Sequence, residues 1–169
     1  MWYDADGNAY TFEQMTKKLV LLLKKHANER ETRLVVGADS HVAKLTTRFI
    51  TSVCVYWTGL GGFYFYQNNY ETMNAIVSPK KSKDKTKINS WNKQRIFKEV
   101  TMAVETATKI QESIGVKPEV HIDASEEIKK EYTSEFSSQL KGYAVSSGYE
   151  TFLKPFSFGA SGISNKYSK

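Results

Sequence analysis

The stretch "EVHIDAS", residues 119–125, begins as an apolar β-strand and ends in polar side chains that include Asp123. The stretch "LVVGADSH", residues 34–41, has the same order, because an apolar run leads into Asp39. Apolar strands are typical of a sheet that is covered on both faces, and ligands collect at the carboxyl edge of such sheets. We therefore predict that Asp39 and Asp123 end neighbouring strands and line a site.

The elements around these two strands predict a mixed five-stranded α/β sheet with helices on both faces. Three strands come first, of which the last two form a hairpin, and helices then alternate with strands. An amphipathic helix over residues 11–28 precedes the sheet. The other predicted elements are strands at 33–39, 46–57 and 62–67, a helix at 88–114, a strand at 119–123, a helix at 125–147, a strand at 149–155 and a final helix in the tail 157–169. In this order the first and fourth strands can lie side by side and parallel.

The length of 169 residues predicts one domain, 1–169, with an N-terminal helical extension over residues 1–30. Its one cysteine, Cys54, excludes an intramolecular disulfide and a multi-thiolate zinc site, so we expect a cytoplasmic protein. The most apolar early run, "LVLLL" at 19–23, is far shorter than the ~20 residues that a membrane span needs. We therefore expect no membrane partner.

A basic segment precedes the long predicted helix. Residues 80–95 contain seven basic residues and one acid, a net charge of +6 that equals the formal charge of the whole chain. A loop over residues 78–90 is predicted to contact the phosphates of a nucleic acid, because Lys and Arg release counterions from any polyanion. The lysines of this loop are Lys80, Lys81, Lys83, Lys85 and Lys87. The alternative is a solvated loop without a ligand.

Two carboxylates held close together repel, so the predicted site needs a shared proton, a basic side chain or a divalent cation. The long helix can supply a third acid, because its apolar stripe puts Glu99 on the flank that borders the sheet and Glu105 toward water. Oxygen ligands without cysteine favour Mg²⁺ or Mn²⁺ as the cofactor. The alternative for each acid is a helix cap or a surface charge.

Histidine chemistry has weaker support in the sequence. His121 precedes Asp123 by two residues and could act as a proton shuttle at the same edge, although a hydrogen-bonded core histidine is the commoner role. Asp39, Ser40 and His41 contain the residue types of a hydrolase triad, but neighbours in a strand point to opposite faces. We therefore predict no triad.

These residues carry a resemblance to a known fold. An acid that ends a first strand, an acid in the first long helix and an acid that ends a fourth strand resemble the ribonuclease H-like pattern. More specifically, "VGADSH", "HIDAS" and the tail "KPFSFGASGISNKYSK" resemble the YkuK family of uncharacterised bacterial and phage proteins. The resemblance implies a divalent-metal nuclease in which Asp39, Glu99 and Asp123 bind two ions.

The chain departs from the family pattern at one position. Where the family has an acid just before the lysine of the tail, this chain has Asn165, followed by Lys166. The neutral amide removes one negative charge, so Lys166 or Lys154 could enter the site and replace a cation. We therefore expect weak metal binding, or the binding of one ion only.

The sequence leaves three functions open. The first is metal-dependent cleavage of RNA or of an RNA–DNA hybrid, with Asp39, Glu99, Asp123 and Asn165 at the catalytic positions. The second is a binding module that keeps the fold, contacts nucleic acid through the basic loop, Lys154 and Lys166, and cuts nothing. The third is an interaction protein whose Tyr- and Phe-rich strands pair with a protein partner.

Overall fold

The computed structural model describes residues 1–43, 46–71, 85–125 and 131–168. The strands are β1 (Trp2–Asp4), β2 (Ala9–Tyr10), β3 (Thr32–Ala43), β4 (Thr46–Trp57), β5 (Gly61–Glu71), β6 (Glu119–Ser125) and β7 (Thr151–Lys154). The helices are α1 (Phe12–Lys25), α2 (Lys85–Ile114), α3 (Glu131–Ser146) and α4 (Asn165–Ser168), and a π-helical segment (Gly159–Ser164) directly precedes α4.

Within the described residues, the strands form one mixed sheet in the order β2-β1-β5-β4-β3-β6-β7. Strand β3 is antiparallel to β4 and parallel to β6, and β6 is parallel to β7. The predicted mixed α/β class is confirmed. The described sheet has seven strands and not the predicted five, because β1 and β2 extend it beyond β5.

The two additional strands lie in the region that was predicted to be a helical extension. Trp2 is buried, and β1 pairs antiparallel with β5. The buried carboxylate of Asp4 accepts hydrogen bonds from Asn8 Nδ2 (3.0 Å) and Tyr10 Oη (2.8 Å), which fix the turn between β1 and β2. Strands of three and two residues are too short to show alternation of apolar and polar residues, so the sequence pattern does not reveal them.

Helices α1, α2 and α3 form the main core with one face of the sheet. Helix α1 buries Met15 and Leu19. Helix α2 buries a stripe at helical spacing, formed by Val100, Ala103, Val104, Ala107 and Ile110. It begins at Lys85, before the predicted start at 88, so residues 85–90 of the predicted basic loop are helical and residues 78–84 lie outside the described part. None of the described helices has the length and apolarity to cross a membrane.

The C-terminal segment, which comprises the π-helical residues and α4, covers the opposite face of the sheet, where glycines allow a close approach. A Cβ atom on Gly37 would lie 2.5 Å from the backbone nitrogen of Ala160, so β3 and the π-helical segment touch through backbone atoms. The buried Ser164 hydroxyl donates to Ser52 Oγ (2.8 Å), and Ser52 Oγ donates to the carbonyl of Gly159 (2.9 Å). These contacts hold the start of α4 against β3 and β4.

Strand β3 continues beyond its predicted end at Asp39. Its antiparallel ladder with β4 runs to the Ala43–Thr46 pair, so β3 extends four residues past Asp39. Its parallel ladder with β6 ends earlier, at the Ala38–Ile122 pair. The predicted strand end is therefore wrong, but the parallel ladder does stop directly before Asp39.

Candidate active site at the end of the β3–β6 ladder

Asp39 and Asp123 are the first residues beyond the parallel ladder between β3 and β6. The last pair of that ladder is Ala38 with Ile122, so the two acids follow at the same level on neighbouring strands. Asp39 is 8% exposed, and the side chain of Asp123 is 17% exposed. The register of the sheet thus brings together the two acids that the sequence pattern singled out.

Glu99 of α2 reaches the same end of the two strands and is buried there. Its Oε1 accepts hydrogen bonds from Ser40 Oγ (2.5 Å) and from Arg95 NH1 (2.8 Å). Arg95 NH1 also lies 2.6 Å from Ser40 Oγ, so the three side chains form a closed network. A narrow crevice beside this network is lined by Ala38, Glu99, Val100, His121, Ile122 and Asp123.

Burial and, to a smaller extent, neighbouring acids raise the pKa of Glu99. Burial raises the pKa of Glu99 to about 8, although Arg95 and Ser40 favour the charged form. The negative charges of Asp39 and Asp123 add to this rise in pKa, so Glu99 lies within electrostatic reach of both acids. The environment of Glu99 therefore favours its protonated form relative to an exposed glutamate, and the ion pair with Arg95 opposes this.

A lysine of the chain lies against Asp123. Lys154 Nζ is 2.5 Å from Asp123 Oδ1, and the Lys154 side chain is 45% exposed. The distance is that of an ion pair, but Asp123 Oδ1 is buried and the contact is not aligned as a hydrogen bond. The contact is electrostatic, because an ammonium group at this distance neutralises a carboxylate even when the N–H bond does not point at the oxygen. A cation from β7 thus occupies one side of the acid pair.

Asn165 and Lys166 lie at the start of α4. Asn165 follows Ser164, whose hydroxyl also lies 3.3 Å from the carbonyl oxygen of Gly37 on β3. Lys166 Nζ lies 3.4 Å from Tyr64 Oη on β5, and Lys166 is exposed. Among the described contacts, Lys154 pairs with an acid of the site and Lys166 does not.

His121 is fully buried, and both of its ring nitrogens have protein partners. Its Nδ1 accepts a hydrogen bond from the backbone N–H of Gly159 (3.2 Å), so the proton of the neutral ring belongs on Nε2, 3.3 Å from Glu119 Oε2. Burial opposes ionisation of Glu119, but hydrogen bonds from His121 and Arg33 lower its pKa to about 2. This arrangement is that of a hydrogen-bonded core histidine, but the ring also lines the crevice beside Glu99 and Asp123, so its role as a proton shuttle stays a prediction.

The basic loop is only partly within the described chain. Lys80, Lys81 and Lys83 lie outside the described residues. Lys85 and Lys87 belong to the first turn of α2. Their role in binding phosphate stays a prediction.

The described acids do not by themselves form a complete metal site, so the binding of a divalent cation stays a prediction. Among the residues that the structure describes, no three His, Cys, Asp or Glu side chains are grouped to hold a metal ion. Asp39 and Asp123 carry oxygen donors of the kind that Mg²⁺ or Mn²⁺ prefers, whereas Glu99 already accepts hydrogen bonds from Arg95 and Ser40. The buried Asp123 Oδ1 accepts no hydrogen bond from the described residues, and such an ion would take the place of the Lys154 ammonium beside it.

Sequence reasoning missed Arg95 and Ser40 as members of the site. Arg95 and Glu99 are four residues apart on one helix, a spacing that puts oppositely charged side chains on the same flank. That signal was present in the sequence. The contact of both residues with Ser40 depends on how α2 packs on β3, which the sequence pattern does not specify.

Comparisons with known proteins agree with this architecture. The family model described as Ribonuclease H-like matches residues 14–169 of the chain. The uncharacterized protein YkuK of Bacillus subtilis (strain 168) is 24% identical over 185 residues, which cover 100% of this chain and 97% of that protein. No solved structure gives a significant match. The matched range includes Asp39, Glu99, Asp123 and Asn165.

Proposed function

Because the chain belongs to the ribonuclease H-like family, we propose that it is a divalent-cation-dependent phosphodiesterase that cuts nucleic acid beside Asp39 and Asp123. The observation that carries the proposal is the position of these acids directly after the last pair of a parallel ladder, within electrostatic reach of a third carboxyl group. Ligands of open α/β sheets bind at this edge. RNA or an RNA–DNA hybrid is the proposed substrate class.

Each side chain of the site has a proposed role. Asp39 and Asp123 would hold Mg²⁺ or Mn²⁺, which when bound supplies Lewis-acid stabilisation of the scissile phosphate and a more acidic water. Arg95 and Ser40 fix the position of the Glu99 carboxyl group at the crevice. Lys154 balances the charge of Asp123 until the cation and the substrate arrive.

A second candidate function is a nucleic-acid-binding module that does not cut. The contact between Lys154 and Asp123 favours it, because the ammonium group lies against a carboxylate oxygen that would otherwise contact a divalent cation. The neutral Asn165 favours it as well, because the family pattern has an acid at this position. In this case Arg95 and Lys154 replace the cation permanently.

Cleavage of labelled nucleic acid tests the two candidates. Single-stranded RNA, an RNA–DNA hybrid and single-stranded DNA are incubated with Mn²⁺ and the natural chain, Asp39→Asn, Asp123→Asn or Asn165→Asp. Asp6→Asn is the matched control, because it removes the same charge from an exposed turn. Phosphodiesterase function predicts cutting by the natural chain and by Asp6→Asn, and its loss in Asp39→Asn and Asp123→Asn.

The other outcomes separate the candidates. Cutting by Asn165→Asp alone supports the non-cutting module, since one restored acid then completes the site. Silence of every variant on all three substrates rejects the phosphodiesterase proposal. Cutting by both Asp39→Asn and Asp123→Asn at the rate of the natural chain rejects the role of the acid pair.

A further inference from the structure

A row of three side chains lies next to the candidate site on the same face of the sheet. His41 of β3 pairs directly with Arg48 of β4, and Arg48 pairs directly with Tyr70 of β5. Directly paired residues of antiparallel strands share a face, and so do residues two apart on one strand. Since His41 follows Asp39 by two residues, all three side chains share the face of Asp39. We call these three residues the outer row.

The C-terminal segment covers the same face of the sheet at a different position along the strands. It packs on Gly37 and Ser52, and Tyr167 of α4 stacks on Tyr66, with ring centroids 3.9 Å apart. The covered residues Gly37, Ser52 and Tyr66 are also directly paired across β3, β4 and β5. Gly37 and Tyr66 lie four residues before His41 and Tyr70 on their strands. At ~3.4 Å per residue the outer row lies roughly 14 Å beyond them. In agreement, Tyr70 is 65% exposed.

Arg48 is held in a defined orientation beside Tyr70. Its Nε and NH2 donate to Asn68 Oδ1 at 3.2 Å and 2.9 Å, and its guanidinium carbon lies 5.8 Å from the centroid of the Tyr70 ring. Among the described residues, Arg48 NH1 makes no hydrogen bond with a protein acceptor. The outer row has no carboxylate, so it offers a fixed cation and an exposed aromatic ring together.

We propose that the outer row binds a single strand of nucleic acid whose neighbouring phosphate enters the candidate site. Tyr70 stacks on a base, and Arg48 donates to a phosphate oxygen. An unpaired base can turn its face to Tyr70, whereas the bases of a duplex already stack on one another. The formal charge of +6 on the chain also suits a polyanion. This inference rests on the proposed function and narrows its substrate class to an unpaired strand, which excludes the RNA–DNA hybrid.

Fluorescence anisotropy with short labelled single-stranded RNA and DNA, and with a duplex of the same length, in EDTA tests the inference without cutting. Tyr70→Leu removes the ring and is expected to weaken binding about tenfold, whereas Tyr70→Phe keeps the ring and should bind like the natural chain. Arg48→Gln is expected to lower the slope of log affinity against log salt by about 0.7, the value for one phosphate contact on a single strand. Arg30→Gln, an exposed arginine before the opposite end of β3, is the matched control. Thermal unfolding shows that each variant is folded.

Several outcomes would overturn the inference. One is an equal loss of affinity in Arg30→Gln and Arg48→Gln, and another is an equal loss of affinity in Tyr70→Phe and Tyr70→Leu. The others are binding of the duplex alone and the absence of binding of single strands by the natural chain at low salt. Binding that depends on the outer row without cutting in Mn²⁺ would support the inference and reject hydrolysis. If the outer-row variants cut nucleic acid and bind single strands like the natural chain, the inference is rejected and the proposed function stays intact.

Discussion

Replacing Gly37 by Ala is expected to lift the C-terminal segment off the sheet and to destabilise the fold strongly. The added Cβ atom would lie 2.5 Å from the backbone nitrogen of Ala160 and 2.6 Å from the carbonyl carbon of Gly159. Both are backbone atoms, so no side-chain rotation can relieve the clash. The π-helical segment must therefore move by roughly 1 Å, because ordinary contacts of this kind begin near ~3.5 Å.

The magnitude follows from the contacts that such a movement breaks. Overpacking of a core costs about 1–3 kcal/mol. The movement also strains the buried hydrogen bonds of Ser164 to Ser52 (2.8 Å) and of Ser52 to Gly159 (2.9 Å), each with a net contribution of about 1 kcal/mol. We expect a loss of about 2–5 kcal/mol, which lowers the melting temperature by roughly 5–15 °C.

Urea and thermal denaturation followed by circular dichroism measure this loss. Gly142→Ala is the control, because Gly142 is an exposed residue of α3 and a Cβ atom there would meet nothing within 4 Å. Its expected effect is a stabilisation of up to about 1 kcal/mol, since Ala is a better helix former than Gly. A Gly37→Ala protein within about 0.5 kcal/mol of the natural chain, the range of ordinary surface substitutions, would refute the close backbone contact.

Three further predictions concern charged groups. Lys154→Ala should tighten Mn²⁺ binding up to about fivefold in isothermal titration, because a half-exposed ion pair contributes about 1 kcal/mol at most. Lys166→Ala is the control and should leave Mn²⁺ binding unchanged. Equal effects of the two substitutions would contradict the role of Lys154. The pKa of Glu99 is raised from 4.5 to about 8 by folding, so its contribution to stability is fully present below pH 4.5 and is lost as the pH rises through about 8. Glu99→Gln should therefore flatten the fall of the urea midpoint across that window, and an unchanged slope would argue against a buried, protonated Glu99. Although burial opposes it, hydrogen bonds from Asn8 and Tyr10 lower the pKa of Asp4 from 3.8 to about 2, so its contribution is present above pH 3.8 and is lost as the pH falls through about 2. Asp4→Asn should be less stable at neutral pH and less sensitive to acid, and an acid transition like that of the natural chain would contradict this.

The class of fold was predictable because its signals are local. The apolar runs before Asp39 and Asp123, followed by an acid in each case, identified two buried strands whose ends line a site. The helical stripe of α2 put Glu99 on the flank that reaches that site. The short strands β1 and β2 escaped prediction, because their stability comes from pairing with β5 and from the hydrogen bonds of Asp4 and not from a repeated pattern.

The amino-acid sequence by itself determined which acids the chain can bring to one edge, because strand alternation and helical spacing depend only on neighbours along the chain. Only the tertiary structure decided which cations neutralise them. Arg95 pairs with Glu99, and Lys154 of β7 pairs with Asp123. The outer row, likewise, exists only through the register of three strands. These features arise from pairing between residues distant in the chain, and a shift of one residue in register would turn each side chain to the other face.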